Sequence, residues 1–110
     1  MHKQGKIVLI PFPFTDLSGL KIRPAVIVSN KPVGDDVVVA FISTNIKKKE
    51  KFGIFIKMDR QNGLKSDSIV LISKMATLEK KIIVGEIGQL SDIHIKQVKE
   101  NKLLGKILSH

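Results

Sequence analysis

Arg23-Pro24 is the pair in this chain best placed to do chemistry. It sits between the turn-prone stretch Pro11-Phe12-Pro13-Phe14-Thr15-Asp16-Leu17-Ser18-Gly19 and the apolar run Ala25-Val26-Ile27-Val28. A guanidinium delivered by a loop to the lip of a rigid strand can meet a phosphate with two parallel hydrogen bonds, and it never loses its charge. Thr44, in Ile42-Ser43-Thr44-Asn45, falls where a later strand should end. If the two strands are neighbours, its hydroxyl projects into the same groove. Arginine plus hydroxyl suits one metal-free reaction of RNA. The 2′-hydroxyl attacks the adjacent phosphorus while one group takes its proton, another protonates the leaving oxygen, and a cation stabilises the charged phosphorane. Arg23 is the candidate cation and Thr44 a candidate hydrogen-bond donor. The plainer alternative is a surface arginine beside a proline that opens an edge strand.

Lys47, Lys48, Lys49 and Lys51 place four ammonium groups within five residues. They can follow a phosphate backbone as point charges, or simply keep a loop solvated. Phe12, Phe14, Phe41, Phe52 and Phe55 are the only aromatics. Three lie in strand-like runs and read as core, which leaves Phe12 and Phe14, on the loop before Arg23, as candidates to stack on bases or to pack. The histidines, His2, His94 and His110, lie far apart in the chain, and none is paired with a carboxylate in a ligand-like pattern. There is no Gly-rich phosphate loop, no His-Glu-x-x-His, no Gly-x-Ser-x-Gly and no cysteine. No cofactor and no metal are therefore expected.

These residues need a scaffold, and 110 residues with 43% hydrophobic content suit one domain over residues 1–110. Nineteen Lys and Arg against ten Asp and Glu leave a net charge of +9, which favours RNA or DNA as a partner. The short apolar start ends at Pro11, too brief for a leader or a membrane span, so a cytoplasmic protein is expected. Ile7–Ile10, Ala25–Ser29, Val37–Ile42, Gly53–Lys57 and Ile69–Ile72 are short β-branched runs bounded by turn residues and read as strands. Ile82–Gly88, with two glycines, reads as an edge strand with a bulge. Ser91 is a good N-cap and Asp92 suits a first helical turn, which predicts one C-terminal helix running toward Leu108. On that helix Ile93, Leu103, Leu104, Ile107 and Leu108 share one arc, with Ile95 and Val98 nearly opposite. The fold expected is mainly β with a C-terminal helix, a small barrel or curled sheet.

The chain resembles the PemK/MazF toxins of type II toxin-antitoxin systems. The resemblance rests on Gly5–Asp16, on Lys21-Ile22-Arg23-Pro24-Ala25-Val26-Ile27-Val28-Ser29, on Phe41-Ile42-Ser43-Thr44 and on Lys74–Lys81. It implies an SH3-like small β-barrel and a metal-independent, sequence-selective endoribonuclease of single-stranded RNA that leaves a 2′,3′-cyclic phosphate and a 5′-hydroxyl. It also implies a homodimer, silenced by a cognate antitoxin with an acidic segment. The catalytic roles implied fall on Arg23 and Thr44. The RNA contacts expected are Phe14, Thr15, Ser18, Lys21, Ser43, the lysines Lys47, Lys48, Lys49 and Lys51, and Lys74 and Thr77. Two departures stand out. Many members carry Gln-x-Arg-Thr where this chain has Lys74-Met75-Ala76-Thr77, and their loop before the arginine is richer in Gly, Glu and Gln than Leu17–Ile22. Two other functions suit the same fold: a gyrase-directed poison, disfavoured by the ending Lys106-Ile107-Leu108-Ser109-His110, and an RNA-binding module without catalysis.

Overall fold

The computed structural model describes residues 3–13, 20–29, 34–46 and 53–101. Six strands, β1 (Lys6–Pro13), β2 (Leu20–Ile27), β3 (Asp36–Ser43), β4 (Gly53–Ile56), β5 (Ser68–Glu79) and β6 (Gly85–Gln89), form one sheet in the order β4-β5-β3-β2-β1-β6. Every pairing is antiparallel. The sheet curls into a half-barrel, followed by the helix α1 (Asp92–Glu100).

Both faces of the sheet are covered, which is why the central strands read as unbroken apolar runs rather than alternating ones. On the helix face, Ile7, Val26, Ala40, Ile42, Val70 and Ile72 pack with Leu90 and with Val98 of α1. On the opposite face, Val8, Ile10, Ala25, Ile27 and Val39 pack with Ile82 and Ile83. A 3-10 turn over Lys80–Ile82 supplies part of that cover, so we call this the turn face.

The helix starts as expected, with Ser91 Oγ accepting from the His94 N–H at 3.3 Å. It stops at Glu100, because Asn101 is extended, and the rest of the predicted apolar arc lies outside the described residues. Val98 is buried and Ile95 packs on the core, so the smaller arc docks on the sheet, whereas Ile93, the one described member of the larger arc, is 72% exposed. The expected edge-strand bulge lies on the β1–β6 ladder between Ile7 and Val8. β5 runs well past the predicted Ile69–Ile72, and its register against β3 shifts between Ala40 and Phe41, where Ile72, Ser73 and Lys74 bulge out. No helix among the described residues is long and apolar enough to cross a membrane.

The connection from β4 to β5 is tied down by one buried side chain. Asn62 Oδ1 accepts from the N–H groups of Asp59 and Leu64, and its Nδ2 donates to the Lys57 carbonyl at 2.9 Å. The Asp59 carboxylate accepts from the Asn62 N–H at 2.7 Å in return. The turn is stitched to β6 by the Gln89 N–H donating to the Gln61 carbonyl at 2.8 Å. This arrangement supplies Gly63 and Leu64 to one wall of a pocket beside the end of β2.

Candidate functional site

Arg23 is not on a loop before its strand; it lies within β2, directly opposite Ile10 of β1. The loop expectation arose because Pro11 and Pro13 read as turn signals. The Val84 N–H donates to the Leu9 carbonyl, so odd-numbered β1 residues direct their backbone groups toward β6, and β6 itself begins at Gly85 opposite Leu9. The missing amide hydrogens of Pro11 and Pro13 therefore fall beyond the end of that ladder, where no bond is lost. β1 can continue to Pro13, pairing with Leu20 and drawing the residues before Arg23 into β2.

On its other side β2 lets go of β3 at this point. The Val28 N–H donates to the Val38 carbonyl at 2.9 Å, so even-numbered residues here aim their amides at β3. Pro24 is the next even residue whose amide the ladder would need after Val26, and it has no hydrogen to give. The ladder accordingly pairs Ile27 with Val39, Val26 with Ala40 and Ala25 with Phe41, and ends. Arg23 is left paired to β1 on one side and, on the other, lies beyond the last pair of the β2–β3 ladder. Its residue is half-buried, with the Nε shut off from solvent.

Carried two residues further, the same register sets Arg23 across from Ser43 and Ile22 across from Thr44. Side chains alternate between faces, so Arg23 and Ser43 share the turn face with Ala25, while Thr44 goes with Ile22 and Pro24. A pocket of about 360 Å³ agrees: its walls include Leu9, Ile22, Pro24, Thr44, Leu64 and Ile87, and not Arg23. Ser43 is also oriented. Its Oγ accepts from the Asn45 N–H at 3.1 Å, which directs its own hydrogen elsewhere. By that extended register the hydroxyl on the arginine's face is that of Ser43, while the sequence pointed to its neighbour Thr44. What this end of the sheet presents is a guanidinium and, on the same face by register, a serine hydroxyl free to donate its hydrogen, the groups an anion with several oxygens would meet.

A model of the PemK-like, MazF-like toxin of type II toxin-antitoxin systems matches residues 3–104. The chain belongs to that toxin family. Among solved structures, the Mycobacterium tuberculosis toxin MazF-mt6 is similar with a TM-score of 0.66 at 21% identity, over 93% of this chain and 96% of that one. A MazF from Deinococcus radiodurans gives 0.70 at 16% identity, over 98% and 96%. An endoribonuclease of a mycobacterial species, solved with its cognate antitoxin, gives 0.66 at 20% identity, over 97% and 94%. Identities this low carry the fold, not the site. No curated protein sequence matches the chain.

The other site residues expected for a PemK/MazF-like toxin divide three ways. Lys21 is exposed on β2, two residues from Arg23 and on the same face by alternation. Lys74 is exposed in the β5 bulge, and Thr77 is exposed opposite Val38, roughly 16 Å along β3 from Ser43 at 3.3 Å per residue, too far to join Arg23. Phe14, Thr15, Ser18, Lys47, Lys48, Lys49 and Lys51 lie outside the described residues, and the Phe12 side chain is not described. Phe55, read from the sequence as core, is instead 53% exposed. One signal could have found it: Lys57, two residues on, marks that side of a short strand as facing water.

Proposed function

We propose that this toxin is a metal-independent, sequence-selective endoribonuclease of single-stranded RNA, acting as a homodimer and silenced by a cognate antitoxin whose acidic tail occupies the same surface. The observation that carries the reading is the juxtaposition of Arg23 and Ser43 on one face of a strand end that Pro24 holds open. A phosphate seated there has its non-bridging oxygens beside the guanidinium and the Ser43 O–H. As the substrate's own 2′-oxygen closes on phosphorus and the bond to the 5′-oxygen lengthens, negative charge grows on those oxygens, where both donors strengthen. The products are a 2′,3′-cyclic phosphate and a 5′-hydroxyl. Thr44, behind the strand end, lines the neighbouring pocket, within reach of a flanking nucleotide. The net charge of +9 supports both polyanionic partners.

Purified protein should cut a long transcript in EDTA, and the new 5′ ends should accept phosphate from a kinase without prior phosphatase treatment. A transcript carrying a 2′-deoxy residue at the mapped cut should resist. Wild-type protein that leaves all RNA intact would overturn the proposal.

The end of the β2–β3 ladder beside Arg23 has its own test. Pro24→Ala restores an N–H aimed at the Ile42 carbonyl, so the β2–β3 ladder can lengthen and close the strand end. The added hydrogen bond, about 1 kcal/mol, offsets the similar cost of a looser unfolded chain, so thermal stability should change little. Cleavage should fall by about tenfold or more, because a shift on the order of 1 Å in the guanidinium misplaces it for the phosphate. Unchanged activity would show that the open strand end is incidental.

A further inference from the structure

We infer that Phe55 is a stacking platform for a base of the bound single-stranded RNA, an assignment that rests on the endoribonuclease reading above. The strand registers place it in one cross-sheet row with the proposed site. Phe55 of β4 pairs with Ile69 of β5, Ile69 pairs with Ser43 of β3, the β2–β3 register carried two residues past its last pair sets Ser43 across from Arg23, and Arg23 pairs with Ile10. Residues opposite one another in register share a face. The flanking residues confirm it, since Ile54 and Ile56 both pack into the helix-face core, which leaves Phe55 on the turn face with Arg23.

Phe55 stays 53% exposed there, while Ile69 beside it is buried. A single exposed apolar side chain is ordinary. What sets this one apart is its row: a phenyl ring, an oriented hydroxyl and a guanidinium in line, with the Lys21 ammonium on the guanidinium's strand. Cations interleaved with a ring are what a single strand needs, charge for its backbone and a π-face for its bases. At about 4.8 Å between paired strands, and somewhat more where β2 has parted from β3, the backbones of residues 55 and 23 lie on the order of 15 Å apart, a span that a few nucleotides of extended RNA cover. Because every base has a π-face, this contact adds affinity without reading sequence.

Phe55→Leu keeps apolar bulk and removes the ring, whereas Phe55→Trp keeps a ring. At subsaturating RNA, Phe55→Leu should cut a long transcript roughly 10- to 100-fold more slowly at every site with an unchanged pattern of cut positions, and Phe55→Trp should match wild type. Fluorescence anisotropy of a labelled random-sequence single-stranded RNA should show binding losses of the same order, a readout that needs no cleavage. A wild type that binds but never cuts sinks only the endoribonuclease reading. Equal binding by wild type and Phe55→Leu overturns the stacking role, as does a Phe55→Leu protein whose mass in solution drops to that of a smaller assembly, which would assign the ring to a contact between copies.

Discussion

Arg23→Ala should abolish RNA cleavage, by at least roughly a thousand-fold, while the protein stays folded. The backbone of residue 23 pairs with Ile10 whatever side chain it carries, so β2 survives the substitution. The side chain makes other contacts and its Nε is buried, so some stability is lost, on the order of 1 kcal/mol, equivalent to a few degrees of melting temperature. The loss at the transition state is far larger, because the phosphorane's charge would have no fixed cation in a partly desolvated site. Arg23→Lys should restore RNA binding but little of the rate, since an ammonium is a point charge and cannot hold two oxygens in a plane. Ser43→Ala should cost about a hundred-fold, the range for one oriented donor, and Thr44→Val about tenfold or less. Rates measured on one mapped site under the same conditions check this ordering. A larger effect at Thr44 than at Ser43 would place the chemistry on the other face of the strand end and overturn the assignment of Ser43.

That choice between neighbouring hydroxyls marks how far the sequence could be read. The arginine, the hydroxyl pair ending β3 and the mainly β scaffold were legible, because β-branched runs and turn residues are local signals. Face was not. A one-residue change in register moves every side chain to the opposite side, and register here is fixed by where ladders start and stop. Those limits depend on partners: β1 passes through Pro11 and Pro13 only because β6 begins too late to need their amides, and β2 parts from β3 at Pro24 only because even residues there face β3. Phe55 was hidden for a related reason. Ile54-Phe55-Ile56 reads as a continuous apolar run, the signature of a strand buried on both faces, yet β4 is an edge strand covered on one face at that residue. The long bulge in β5 is likewise a product of the curl, which makes β5 traverse more residues than β3 over the same stretch.

Gly63→Ala should be strongly destabilising, by about 3–5 kcal/mol out of the 5–15 typical of a small domain. Gly63 has φ +68°, a left-handed conformation that costs an alanine about 1–2 kcal/mol. The larger share comes from contact. A Cβ there would lie 2.0 Å from the Ile87 carbonyl oxygen and 2.8 Å from its carbon, backbone atoms of β6 that cannot swing aside. The turn must back away from β6, and doing so strains the Gln89–Gln61 hydrogen bond and the cluster of bonds around Asn62, where a buried amide left unsatisfied costs about 1–3 kcal/mol. Thermal unfolding followed by circular dichroism should show the midpoint falling by more than about 10 °C. Gly34→Ala is the matched control: its φ of +63° carries the same conformational cost, but among the described residues nothing lies within 4 Å of the added carbon. It should cost only about 1–2 kcal/mol, so the difference between the two substitutions isolates the clash with Ile87 from the backbone strain they share. Equal losses would mean that the turn and β6 can separate freely. The wall formed by Gly63 and Leu64 would then be a loose flap rather than a fixed side of the pocket that Thr44 lines.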